Sequence, residues 1–134
     1  MIRINRKIIS KTKKKAIISA RKREVFIFSN PKDHIQRFLN VIHQTSRIMP
    51  HKHQHSPEVF LAVSGKSEIS TYYNDGKQKD KIIIEPNSKI FGVEVKKGEY
   101  HSLKALDKWS AVYIIMKGPY KQKKHKLFPK WLKK

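Results

Sequence analysis

The chain has 134 residues, enough for one domain with a core of its own. Lysine and arginine number 31 against 10 aspartates and glutamates, a formal net charge of +21. There is no cysteine, which excludes disulfides, thiolate metal sites and cysteine catalysis, and no apolar run approaches the ~20 residues of a membrane span. A field this positive attracts polyanions. The lysines are scattered over every loop, however, so the charge reads first as compositional bias and only second as a groove for nucleic acid. The basic start lacks the continuous apolar centre of a signal peptide, and a cytoplasmic location is the expectation.

In chain order, residues 1–24 are a basic segment with two apolar clusters, Ile8-Ile9 and Ala16 to Ile18. "REVFIFS" predicts a strand. "SNPKDHIQRFLNVIHQ" predicts a turn and a short helix, with Asn30 as cap, Pro31 in the first turn, and Ile35, Phe38, Leu39 and Ile42 on one face. From Ser46 onward the signals are those of strands. They run through "SRIMPHKH", "EVFLAVSG", and "KSEISTYY" joined by "NDGK" to "KDKIIIEP", then "KIFGVEV", "YHSLKAL" and "KWSAVYIIMKG". Short strands spaced by turn residues, with one helix before them, predict a mainly β fold, an antiparallel sandwich or small barrel. The expected organisation is a single domain: a basic N-terminal segment (1–24), a helix and barrel core (25–118), and a basic tail (119–134) that Phe128 and Trp131 pin to the body.

Chemistry concentrates in "PHKHQHSPEVFLAVSG", Pro50 to Gly65. Alternate strand residues share a face, so His51 and His53 project together. Pro57 ends the strand before His55 can join them. Glu58 opens the next strand and can lean back toward the two imidazoles. Two imidazole nitrogens and a carboxylate oxygen suit a divalent transition metal, and His101, after the "KKGE" turn, is the candidate fourth ligand. The alternative is that these are surface or core imidazoles. His34, His43, His55 and His125 are read as solvent-facing or peripheral.

The spacing His51, His53, Glu58, Gly65 resembles the first cupin motif without gaps, and Gly98 with His101 resembles part of the second. Thr45, Lys96 and Ala105 stand where the family carries a glycine, a proline and an asparagine. More narrowly, "HIQRFLNVI", "MPHKHQHSPEVFLAVSGK", "VEVKKGEYHSLKAL" and "KGPY", with Arg21 and Arg23 upstream, resemble the WbuC-type cupin-fold metalloproteins, which are associated with O-antigen and lipopolysaccharide gene clusters. The resemblance implies a jelly-roll barrel and one divalent metal ion held by His51, His53, Glu58 and His101.

Iron, manganese, nickel and zinc all accept this donor set. Arg37, matching the family's "QR", is a candidate contact to a carboxylate or phosphate, and the alternative for it is a salt bridge. Lys117 and Tyr120, where the barrel mouth is expected, are further candidate ligand contacts, and no catalytic residue is assigned. The expected partner is a small polar ligand, anionic or sugar-derived. A homodimer is compatible with the sequence, and a specific nucleic acid is not expected. Four functions remain open: a metal-dependent isomerase, epimerase or dioxygenase; a non-catalytic metal- or ligand-binding module; a basic nucleic-acid-binding protein; and a metal-free sugar isomerase of the cupin class.

Overall fold

Nine strands follow one helix in the computed structural model, which describes residues 1–119 and 126–132. The elements are α1 (Arg6–Ile18), β1 (Arg23–Ile27), β2 (Ile35–His43), β3 (Ile48–His51), β4 (Glu58–Ser64), β5 (Ser67–Tyr72), β6 (Gln78–Ile84), β7 (Gly92–Val95), β8 (Tyr100–Ala105) and β9 (Trp109–Lys117). They build two antiparallel sheets, in the orders β1-β2-β9-β4-β7 and β3-β8-β5-β6. The crossovers in both orders make a jelly roll, as expected. Ile42, Phe60, Ile69, Ile84, Leu103, Val112 and Ile114 fill the space between the sheets. Among the described residues no helix is long and apolar enough to cross a membrane.

The helix is not where the sequence placed it. Residues 35–43 form β2, paired with β1 on one side and β9 on the other. Leu39, Asn40, Val41 and Ile42 are all buried. A central strand covered on both faces carries a continuous apolar run, and such a run also satisfies helical spacing. Asn30 caps no helix. Its carbonyl accepts from the Asp33 N–H at 3.0 Å, closing a turn. The buried Gln36 staples that turn: its Nε2 donates to the carbonyls of Asn30 (2.8 Å) and Asp33 (3.1 Å), and its Oε1 accepts from Ser29 Oγ at 2.9 Å.

The true helix, α1, lies in the basic N-terminal segment. Asn5 caps it by accepting from the Ile8 N–H at 3.1 Å. Ile8, Thr12 and Ala16 recur every four residues and so share a face, and Thr12 and Ala16 are buried. Thr12 Oγ1 donates to the Ile8 carbonyl at 2.8 Å, which settles its hydroxyl without a distant partner. Lysines, good helix formers, stand at Lys7, Lys11 and Lys13 to Lys15.

The described part of the tail returns to the body. Lys52 and Leu127 exchange backbone hydrogen bonds at 3.0 Å, and the Trp131 ring packs on Tyr72 and Tyr100. Gly65 ends β4 at φ +70, and a Cβ built there would lie 2.6 Å from the Trp109 carbonyl oxygen. Gly65→Ala is therefore expected to cost more than ~1 kcal/mol, read as a lower urea midpoint. A variant as stable as the parent would show that the turn relaxes freely.

Candidate metal centre

His51 ends β3, His53 lies two residues beyond it, Glu58 begins β4, and His101 is the second residue of β8. The β3–β8 register sets His51 directly across from His101. Their ring centroids are 4.6 Å apart, and the His53 ring lies 5.0 Å from His51 and 5.5 Å from His101. Glu58 reaches the group from the opposite sheet. Its Oε2 is 2.9 Å from Nε2 of both His53 and His101. All four residues are buried, His101 at 2 % exposure and Glu58 at 6 %.

The backbone brings these side chains together by local means. A register shift in β3 between Ile48 and His51 turns both into the barrel. Gly98, at φ +79, makes the left-handed turn before β8, and its N–H donates to the His53 carbonyl at 2.8 Å. That bond ties the loop carrying His53 to the turn that delivers His101.

The donor chemistry fits a metal ion. The Nδ1 atoms of His51 and His101 lie 2.8 and 2.9 Å from the carbonyl oxygens of Met49 and Glu99, so Nδ1–H donates and Nε2 presents its lone pair inward. His101 then faces oxygen at both nitrogens. A neutral imidazole carries one N–H, so the contact to Glu58 needs either a second proton or a cation in its place. One ligand atom from each of the four residues lies within 4.8 Å of the others. A shell with bonds of about 2.0–2.2 Å spans roughly 3–4 Å between donors, so small side-chain rotations close it.

Electrostatics hold the group ready. Burial lowers the His51 pKa to about 3, assisted by the neighbouring His101, so His51 is neutral at physiological pH. Burial alone would raise the Glu58 pKa, but the His101 and His53 imidazoles that face it outweigh burial and keep the carboxyl well below its usual range. Three imidazoles and one carboxylate leave a bound divalent cation with net positive charge.

The four residues line a cavity of about 510 Å³, walled by apolar side chains that include Phe38, Phe60, Leu103 and Ile114. A comparable cavity of about 540 Å³ lies against α1, between Arg6, Lys13, Asp107 and Trp109, away from the histidines. His55 is half-buried, its ring 6.0 Å from that of His53, and it lies outside the four-residue group. Arg37 is not brought to the cavity. It sits on the β2 face opposite Gln36, Phe38 and Asn40, with Nη2 3.6 Å from Asp33 Oδ2. The Lys117 side chain is exposed, and its backbone N–H donates to Ser56 Oγ at 2.7 Å. Tyr120 and His125 lie outside the described residues. Sequence reasoning missed Arg21, Arg23, Asn40 and Lys126 as cavity residues. The available signal was phase: Arg23, Val25 and Ile27 alternate on one face of β1.

Two sheets in jelly-roll order around a buried His-His-Glu-His group define a cupin-fold protein with a site compatible with one metal ion. The chain belongs to the family described as a domain of unknown function (DUF6016), whose model matches residues 4–84. No curated protein matches the sequence. Among solved structures, the chain is similar to the capsular polysaccharide assembling protein CapF from Staphylococcus aureus, with TM-score 0.72 and 18% identity over 84% of this chain. It spans only 30% of the CapF chain. It is also similar to KdgF from Halomonas sp. (TM-score 0.58, 15% identity, 79% of this chain and 87% of that one). The Cnp3 cupin domain of Schizosaccharomyces pombe matches with TM-score 0.58 and 12% identity over 72% of this chain and 64% of that one.

Proposed function

We propose that the protein is a metal-binding cupin whose single divalent ion, held by His51, His53, Glu58 and His101, presents open coordination positions to a small polar ligand. The observation that carries this reading is the convergence of four buried donors from both sheets on one point at the inner end of a cavity. Burying three imidazoles and a carboxylate without a cation is unfavourable unless protons bridge them, and a divalent ion satisfies all four at once. Bound there, the ion would supply Lewis-acid polarisation of a ligand oxygen, or oxygen chemistry if it is iron. The chain's own contribution is to fix the imidazole tautomers through Met49 and Glu99 and to keep water sparse with the apolar wall.

The biological setting we propose is surface-polysaccharide metabolism, with a sugar-derived ligand. The WbuC-type resemblance supports it, as does the fold likeness to CapF, a capsular polysaccharide assembling protein. A non-catalytic ligand-binding role is the second reading. It is favoured by the cavity's carboxylates, which are Glu58, engaged with two histidines, and Glu24, whose Oε1 accepts the Val25 N–H at 3.1 Å. Neither is placed as an independent acid or base.

Calorimetric titration of metal-stripped protein with iron(II), manganese, nickel and zinc is expected to give one site per chain for at least one ion, with proton release on binding. Absence of saturable binding for every ion would refute the metal reading. With the loaded protein in hand, turnover of sugar-derived substrates separates enzyme from binding module.

A further inference from the structure

The cavity does more than give access to the histidines. Three cations, Arg21, Arg23 and Lys126, line it together, and among the described residues none makes an ion pair. Burial and the charge of Arg21 lower the Arg23 pKa, and burial and the charge of Arg23 lower that of Lys126. The three therefore lie close enough to repel one another. Arg23 is fixed in place, with Nη1 donating to Ser46 Oγ at 3.1 Å and to the Arg47 carbonyl at 3.2 Å. Arg21 and Lys126 keep solvent access at the mouth, although protein surrounds much of Lys126.

A separate observation lies deeper. Asn40, on the cavity face of β2, is 8 % exposed, and its Oδ1 is buried with no hydrogen-bond partner among the described residues. A buried acceptor left unsatisfied is costly, and a hydroxyl or N–H supplied by a ligand would relieve that cost. Asn40 lines the cavity, and a turn of its amide brings Oδ1 to a ligand hydroxyl or N–H at that level.

We propose that this cavity binds a small organic anion, a carboxylate or phosphate ester, that meets Arg21, Arg23 and Lys126 with its charged group and gives a hydroxyl or N–H to Asn40. This rests on the reading of the histidine group as a metal centre at the inner end of the same cavity. The cationic metal site and the cations at the mouth then act on one ligand from both ends. Arginine forks suit carboxylate and phosphate oxygens alike. A volume near 510 Å³ accommodates a small molecule rather than a bare ion.

The test is calorimetric binding of three probes to the metal-loaded protein: gluconate, glucose 6-phosphate and uncharged glucose. At least one anion is expected to bind ~10-fold or more tightly than glucose, weakening as salt rises, and the arm that binds identifies carboxylate or phosphate. The double variant R21Q/K126Q, which spares the fixed Arg23, is expected to lose ~10-fold in affinity for that anion, and Asn40→Ala several-fold. Glucose binding as tightly as both anions, or an R21Q/K126Q affinity equal to the parent's, would overturn the proposal. Metal content is measured on the same samples. Lost anion preference with metal intact condemns the anion site alone. Metal-free samples condemn the metal reading, and the anion preference is then still read on the metal-free protein.

Discussion

Replacing His101 by alanine is expected to strip the purified protein of its metal, with affinity falling at least ~100-fold. Loss of an outer hydrogen bond to a ligand alone costs 10–100-fold, and here the ligand itself is removed. His101 pairs across strands with His51 and is fixed by Glu99, and among the described residues the metal-compatible group consists of His51, His53, Glu58 and His101 alone. The change also leaves Glu58 with one imidazole partner instead of two, which should destabilise the metal-free protein by ~1–3 kcal/mol. His53→Ala should behave likewise. His55→Ala, outside the four-residue group, should retain the parent's metal. The readout is metal per chain beside the urea midpoint for each variant. A His101→Ala protein that keeps its metal while His55→Ala loses it would reassign the ligands.

Acid is expected to destabilise the metal-free protein well before ordinary carboxylates titrate. His51 is neutral when folded, with a pKa of about 3 against the usual 6.5. Between those values the unfolded chain binds a proton that the folded chain refuses, so the stability present above pH 6.5 declines steadily toward pH 3. Glu58 acts in the same direction lower down: its carboxyl is held below the usual 4.5, and the stability this gives is lost as pH falls beneath that value. The His51 contribution is on the order of a few kcal/mol, a large part of a small domain's total. Urea midpoints between about pH 7.5 and pH 4 should fall monotonically. A flat profile over that range would show that His51 accepts its proton without unfolding. In the metal-loaded protein the same protons compete with the ion, and the slope should be steeper.

The gathering of the four-residue group was legible because its information is local. His51, His53 and Glu58 lie within eight residues, and strand alternation with a short loop suffices to bring them together. Gly98 announced its turn, and His101 followed it. The strands from Ser46 to Lys117 were legible because their turns are marked by Gly65, Gly76 and Gly98, all at positive φ. The run from Ile35 to His43 was not legible, because burial on both faces removes the alternation that distinguishes strand from helix. Nor was α1, whose inward stripe of half-buried Ile8 and buried Thr12 and Ala16 contains only one large apolar residue. Arg21, Arg23 and Lys126 meet only through the fold: β1 and the returning tail approach the cavity from opposite ends of the sequence. Sequence reasoning chose Arg37 from its place in a motif, and strand parity sets it on the other face.

The most direct measurement is elemental analysis of the protein purified without added metal and without a histidine-rich tag. Close to one divalent transition-metal ion per chain is expected, removed by a chelator and restored by adding the same ion back. A parent protein that is metal-free as purified, and stays so after incubation with iron(II), manganese, nickel and zinc in turn, would contradict it.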